Sequence, residues 1–222
     1  MEINETNIEI RTKQRFNNAN KNYNTDTYYW RSKTAEIINE FLKPNINDVI
    51  LDLGCGTGKQ LIHLSPKIKL AIGIDISDGM IERAQETVKC KGIRNIEFYL
   101  GTFEEPNLNV NVNKKGVTKI ISNYALHHLT TIYKQQAIKK MINVGGETLQ
   151  RIIIGDLIFF DNPNSFKDQF HLVGYNPEVD FPSCAEELVD CFSNFGFTVE
   201  IHKLHSLVGI IVANKNITPN NN

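Results

Sequence analysis

Val49-Ile-Leu-Asp-Leu-Gly-Cys-Gly-Thr-Gly58 is the stretch that decides the fold. Its first five residues are aliphatic or β-branched apart from one acid, and glycines follow at positions 54, 56 and 58. That reads as a buried strand running into a tight loop. A polar pattern resumes over Lys59 to Leu64, which predicts a helix whose first turn starts inside the glycine loop. Backbone N–H groups at such a start point into the concavity of the loop and attract a carboxylate or a phosphate.

Two familiar glycine loops do not fit. A dinucleotide fingerprint would place its third glycine at position 59, which is Lys59, and a phosphate-binding P-loop would follow Gly58-Lys59 with Ser or Thr, where Gln60 stands.

Outward from the loop, strand and helix patterns alternate. Leu70 to Ile74 predicts a second buried strand ending in Asp75, and Ser77 is a candidate N-cap for a helix over Asp78–Lys91 with Met80, Ile81, Ala84 and Val88 on its inner face. Ile96–Leu100 and Thr118–Ser122 read as the third and fourth strands, with an Asn-rich loop between them from Asn107 to Lys115. A helix over Lys134–Val144 precedes a fifth strand at Ile152–Asp156. On the N-terminal side, apolar residues from Ala35 to Leu42 recur at helical spacing before Pro44, predicting a helix over 32–43. A helix from Ala185 to Phe195, stopped by Gly196, and strands near 197–203 and 206–213 complete the pattern. The fold expected is α/β: a Rossmann-like, doubly wound, seven-stranded and mostly parallel sheet with a C-terminal antiparallel hairpin and an N-terminal helical cap.

The chain of 222 residues, 41% of them hydrophobic, suits one such domain. Residues 1–15 and 217–222 are polar and without sustained period, and read as mobile tails around a domain over 16–216, of which 16–44 form the cap and first helix. With 24 basic against 25 acidic residues the chain has no electrostatic footprint for a polyanion, so nucleic acid is not expected as a partner. Cysteines at 55, 90, 184 and 191 lack metal-ligand spacing; no metal is expected, and reduced thiols in a cytoplasmic protein are. Cys184 and Cys191, seven apart on one helix face, read as packing. The polar N-terminus lacks a signal-peptide run and no window has the length of a membrane span.

Leu51-Asp52-Leu53-Gly54-Cys55-Gly56-Thr57-Gly58 resembles motif I of the class I S-adenosylmethionine-dependent methyltransferases, and further stretches fall in that family's order. Phe16-Asn-Asn-Ala19-Asn-Lys-Asn-Tyr23 is similar to the family's F-D-x-x-A-x-x-Y-D entry segment, with Asn17 and Asn24 in place of its aspartates. Ser122-Asn-Tyr-Ala-Leu-His127-His128-Leu129 resembles motif IV of the small-molecule enzymes. The paired prolines used by enzymes that methylate base or glutamine amino groups are absent, which disfavours base N-methylation. The resemblance covers residues 16 to 212 and implies S-adenosyl-L-methionine as cofactor, a small-molecule acceptor, and a monomer or homodimer. The implied cofactor contacts are Gly54, Cys55 and Gly56 of the loop, Asp75 for the ribose hydroxyls with Ile76 beside it, Met80 against the adenine, Asn123, and Tyr23 or Arg31 at the methionyl end. Thr102 stands where the family commonly has an aspartate for the adenine amino group, so that contact is shared out among Thr102, Phe103 and Glu104.

Methyl transfer from a sulfonium demands in-line approach of a desolvated nucleophile and little covalent help. Where the acceptor carries a proton, a histidine is a suitable base. His128 and His127 are the candidates, with Tyr124 next and Asp156, Asp161 and His171 behind them. The alternatives carried forward are a cofactor-binding regulatory or scaffold protein without turnover, and a protein methyltransferase.

Overall fold

The computed structural model describes residues 5–19, 29–106 and 111–216. Helices α1 (Glu5–Ala19) and α2 (Tyr29–Leu42) precede β1 (Val49–Leu53), α3 (Lys59–Leu64), β2 (Leu70–Asp75), α4 (Asp78–Lys91) and β3 (Ile96–Leu100). The second half runs through β4 (Lys119–Asn123), α5 (Thr131–Gly145), β5 (Arg151–Phe159), α6 (Phe170–Val173), β6 (Ser183–Cys184), α7 (Ala185–Ser193), β7 (Phe197–His205) and β8 (Val208–Lys215).

The strands make one sheet in the order β3-β2-β1-β4-β5-β8-β7, with β6 pairing β5 off that path. Strands β1 to β5 pair in parallel, and β8 lies antiparallel to both β5 and β7. Parallel strands covered on both faces should be apolar throughout, and every residue of β1 is buried. Val49, Leu51 and Leu53 join the core under α5 and α7, while Ile50 joins the core under α2, α3 and α4. The strand order reverses between β1 and β4, so their carboxyl ends frame the crevice in which an open α/β sheet binds its ligand.

Local chemistry sets the element ends. Ser77 accepts from Met80 N at 3.2 Å as the N-cap of α4, and Gly92 closes that helix with φ 65°. Gly196, with φ 78°, stands in the turn between α7 and β7.

Several boundaries differ from the sequence reading. Residues 5–15, expected to belong to a polar tail, lie within α1, whose inward-facing side chains are held by distant partners rather than by an apolar stripe of its own. Strand β5 runs on to Phe159, because antiparallel pairing with β8 extends it to Leu157 and Ser183–Cys184 adds a short eighth strand at Ile158 and Phe159. Helix α5 starts at Thr131 and α7 ends at Ser193. Tyr23, most of the entry segment and residues 217–222 lie outside the described residues. No described helix is long and apolar enough to cross a membrane.

Candidate active site

A cavity of about 450 Å³ opens at the carboxyl ends of β1, β2, β3 and β4. Helix α1 roofs it with Ile8, Glu9, Thr12 and Phe16, which follow one another at helical spacing.

The floor is the glycine loop. Gly54 N and Cys55 N both donate to Ile74 O, at 2.8 and 3.0 Å, so the loop is stitched to β2 immediately after β1 ends. Gly54 has φ 79°, and a Cβ there would meet the Ala125 Cβ at 2.3 Å. The position has to be glycine, and its neighbour across the switch point has to be small. Gly56 has φ 52° and nothing within 4 Å of where its Cβ would be, so its backbone faces open space in the cavity.

Asp75 ties this loop to the next. Its Oδ2 accepts from Gly56 N at 2.8 Å and its Oδ1 from Ser77 N at 2.9 Å, so the acid at the end of β2 braces the glycine loop and the start of α4 together. Burial raises its pKa, and the backbone hydrogen bonds from Ser77, Gly56 and Ile76 oppose that rise. The carboxylate keeps acceptor capacity beyond these bonds for a ligand. Behind it Asp52 is pushed up to about 8 by burial and by the charge of Asp75, and its Oδ1 has no hydrogen-bond partner among the described residues. Both acids under the loop are thus pushed up by burial, Asp52 with the charge of Asp75 added.

Of the other residues expected at a cofactor, Ile76, Met80, Thr102, Phe103 and Asn123 line the cavity. Met80 is also fully buried core. Thr102 Oγ1 accepts from Glu105 N at 3.2 Å, shaping the turn after β3. The Asn123 amide is engaged on α2: it donates to Arg31 O at 3.1 Å and accepts from Thr34 Oγ1 at 2.6 Å. Cys55 and Arg31 do not line the cavity. The Cys55 thiol turns into the core next to Gly73, with its pKa raised by burial, and the Arg31 guanidinium lies 5.7 Å from the centre of the Tyr124 ring. Tyr23 cannot be placed, because it lies outside the described residues.

The two histidines part company. His127 does not line the cavity. Its Nδ1 meets the Asp156 carboxylate, its N–H donates to Asp156 Oδ2 at 2.9 Å, and its carbonyl accepts from Phe181 N at 2.7 Å. That set of bonds makes it a post holding the β4 loop to β5. His128 does line the cavity, with its Nδ1 3.0 Å from Asp180 Oδ1 and its Nε2 3.0 Å from Arg15 Nη2. Tyr124 borders the cavity too; it has φ 53°, and burial holds its phenol well above the ordinary range. Asp161 lies at the surface, paired with Lys203 at 2.6 Å.

Sequence reasoning missed Arg15 and Asp180, which contact His128, and it missed Leu129 and Tyr133, which line the cavity. Ala125 could have been found, since a small residue is what a glycine with no room beside it requires.

Residues 44–172 match the family model described as a methyltransferase domain. An uncharacterized methyltransferase of Oceanobacillus iheyensis is 28% identical over 190 residues, covering 81% of this chain and 83% of that protein. A 23S rRNA (uracil(1939)-C(5))-methyltransferase of Marinomonas is 32% identical over 82 residues; the match covers 37% of this chain and spans only 18% of that protein's length. Among solved structures, magnesium protoporphyrin IX methyltransferase from Synechocystis with bound S-adenosylmethionine superposes with a TM-score of 0.66 at 14% identity, over 94% of this chain and 97% of that one, which is a likeness of fold.

Proposed function

Because the chain belongs to the class I S-adenosylmethionine-dependent methyltransferases, with S-adenosylmethionine as its methyl donor, we propose that it methylates a small molecule held in the same cavity as that donor. The observation that carries this reading is the cavity itself. It runs without interruption from Gly54 and Asp75 to His128 and is roofed by α1, a shape suited to a small ligand. The near balance of charge over the chain supports the same reading against RNA. So does the short match to the rRNA enzyme, which leaves most of that protein without a counterpart here.

The residues present fit the donor. The open side of Gly56 leaves room for the donor's amino-acid end, and the unpartnered Asp52 Oδ1 lies behind that loop. In this reading Asp75 accepts the ribose hydroxyls through its remaining acceptor capacity. Ile76, Met80 and Phe103 flank the adenine, with Thr102 at its polar edge. The donor, once bound, supplies a methyl group already activated by positive sulfur. The chain's own share is to hold the acceptor in line and keep water out, which falls to Phe16, Phe103, Leu129 and Tyr133.

Isothermal titration with S-adenosylhomocysteine tests the cavity assignment, and product S-adenosylhomocysteine formed from a metabolite pool tests the acceptor class. No measurable heat would overturn the first. Labelling confined to lysate polypeptides would replace the small molecule by a protein substrate, and binding without product from any pool would favour a regulatory or scaffold role.

A further inference from the structure

Where the cavity ends at His128, three side chains able to ligate a metal converge from distant parts of the chain. We propose that His127, His128 and Asp180 form a binding site for a first-row divalent metal ion such as Zn²⁺, with Asp156 orienting His127 and the open side of the ion turned to the acceptor end of the cavity. The site itself is independent of the methyltransferase reading, whereas its use in anchoring an acceptor through oxygen rests on that reading.

The donor atoms are placed for an ion. Asp180 Oδ1 lies 3.0 Å from His128 Nδ1 and 3.7 Å from His127 Nε2, and the three residues bring ligand atoms within 4.8 Å of one another. Donors about 2.1 Å from a common ion stand roughly 3.0–3.4 Å apart at octahedral and tetrahedral angles, so small side-chain adjustments close the set. All three residues are buried. Two imidazoles and one carboxylate suit Zn²⁺ and its first-row neighbours, whereas Mg²⁺ and Ca²⁺ prefer oxygen throughout.

His127 carries the sharper signal. A carboxylate only accepts, so in the neutral ring the Nδ1 that meets Asp156 carries the hydrogen and Nε2 is left with a lone pair. That lone pair has no hydrogen-bond partner among the described residues, and it faces the Asp180 carboxylate at 3.7 Å. Two electron-rich atoms at that separation repel unless a cation stands between them. A metal-bound histidine commonly donates its other ring N–H to a carboxylate, which fixes the tautomer and the ring plane. Asp156 also accepts from His127 N at 2.9 Å, so it ties both the ring and the backbone of this residue.

The carboxylate on the far side is equally well held. Asp180 Oδ2 accepts from Asn176 N at 2.9 Å, the next residue's N–H donates to His127 O at 2.7 Å, and Lys134 of α5 donates to Phe181 O and, at 3.1 Å, to Ser183 Oγ. The loop carrying the imidazoles and the segment carrying the carboxylate are thus bonded directly to each other, as a preorganised ligand set requires.

Arg15 brings positive charge to the same place from α1. Its Nη1 lies 3.7 Å from Asp180 Oδ1, and its Nη2 lies 3.2 and 3.0 Å from His128 Nδ1 and Nε2, nearly equidistant and so aligned with the lone pair of neither. The contact is that of a cation drawn to an electron-rich cluster. A guanidinium and a divalent ion repel each other at this range, so the ion takes the place of Arg15. The Arg15 side chain is 39% exposed and free to turn outward. The position it leaves opens on the cavity that His128 lines, where a ligand oxygen can complete the coordination. Cysteine spacing could not announce such a site, and His128 and Asp180 are 52 residues apart.

The test uses the full chain stripped with EDTA and titrated with Zn²⁺, then with Co²⁺, whose absorption reports its ligands. One equivalent should bind, and Co²⁺ should show visible d–d bands without the near-ultraviolet charge-transfer band of a thiolate. Asp156→Asn should weaken Zn²⁺ binding about 10- to 100-fold, and Asp180→Asn and His128→Gln should weaken it more. Far-ultraviolet circular dichroism checks that each variant is folded. Arg15→Ala, at a half-exposed position, keeps the test decisive should a buried variant unfold: it should tighten Zn²⁺ binding several-fold, and unchanged or weaker binding would overturn the proposal. So would no Zn²⁺ binding, binding indifferent to Asp180→Asn and His128→Gln, or a thiolate band, and each of these leaves the methyltransferase reading standing. Acetohydroxamate, a bidentate oxygen ligand, should shift the d–d bands of Co²⁺ protein saturated with S-adenosylhomocysteine. Unmoved bands would overturn the anchoring role. Failure to bind S-adenosylhomocysteine would overturn the cavity assignment and leave the Zn²⁺ titration unaffected.

Discussion

The two halves of the cavity are built in different ways. On the side of β1, β2 and β3, the defining bonds join residues close in sequence: Asp75 reaches Ser77, 2 residues on, and Gly56, 19 residues back. On the side of β4 and β5, His127 meets Asp156 across 29 residues, His128 meets Asp180 across 52, and Arg15 reaches His128 across 113. The first half is a loop geometry that glycines and one acid impose locally. The second is an assembly of groups that only the finished fold brings together. One half should therefore fail as a unit when its backbone is disturbed, whereas the other should lose chemistry one side chain at a time.

The sharpest break in that contrast comes from the two loop glycines. Gly54→Ala drives a Cβ to 2.3 Å from that of Ala125 at a φ of 79°, so the loops after β1 and β4 have to part. We expect cofactor affinity to fall at least about 100-fold, close to 3 kcal/mol, together with a clear drop in melting temperature. Gly56→Ala meets no atom within 4 Å, and its folding cost should be only the roughly 1–3 kcal/mol of a strained φ, while the methyl group intrudes on the cofactor's space. Equal melting temperatures for the two variants in titrated protein would show that the Ala125 contact is not the constraint assigned to it.

Asp75 comes next. As a ribose ligand alone, Asp75→Ala would weaken binding by about 2 kcal/mol or more and leave the fold intact. The bonds from Gly56 N and Ser77 N change that expectation, since a buried donor at Ser77 and a half-buried one at Gly56 lose their acceptor. A further loss of about 1–3 kcal/mol in unfolding free energy should accompany the loss of affinity. Denaturant melts with and without S-adenosylhomocysteine separate the two effects, and an unchanged ligand-free melt would show that the brace is unimportant.

Legibility follows the same division. The strand, the glycine loop, Asp75 and the Ser77 cap could all be read from the sequence, because each depends on residue types at short fixed spacing. Helix α1 was not legible. Its sequence carries no apolar stripe, and it is fastened by Lys13 to Asp78, Asn17 to Ser77 and Arg15 to His128, partners that no local period announces. His127 and His128 looked alike in sequence, and only the three-dimensional positions of Asp156 and Asp180 distinguish a structural post from a cavity residue. Asn123 shows the limit from the other side: a residue at the right strand end has its amide committed to α2.

The acceptor half can also be probed through pH. Folded His128 takes no proton until about pH 3, whereas an unfolded chain takes one near the ordinary value of 6.5, so acid favours the unfolded state throughout that window. The resulting loss should reach about 1.4 kcal/mol per pH unit for this one group, fully developed between pH 6 and 4. His128→Gln removes it. The difference in unfolding free energy between the two proteins should therefore slope in favour of the variant as the pH falls, and parallel curves would mean that His128 is not held neutral.

The smallest effect is expected where α1 meets the cofactor half. Lys13 Nζ lies 2.7 Å from Asp78 Oδ2, but the two side chains are 37% and 58% exposed. The Asp78 carboxyl is lowered by its hydrogen bond to Lys13, a shift that solvent screening discounts as a source of stability. Lys13→Ala should cost no more than about 0.5 kcal/mol. Its informative readout is hydrogen exchange in α1. If the helix is anchored chiefly at its acceptor end, by Arg15 on His128 and Asp180, exchange near Lys13 should quicken little in Lys13→Ala and much more in Arg15→Ala. Binding of S-adenosylhomocysteine should then slow exchange along the face formed by Ile8, Thr12 and Phe16, which roofs the cavity. Exchange that is already slow in the free protein, and unchanged by ligand, would make α1 a fixed wall, and the acceptor would then have to enter from beside it.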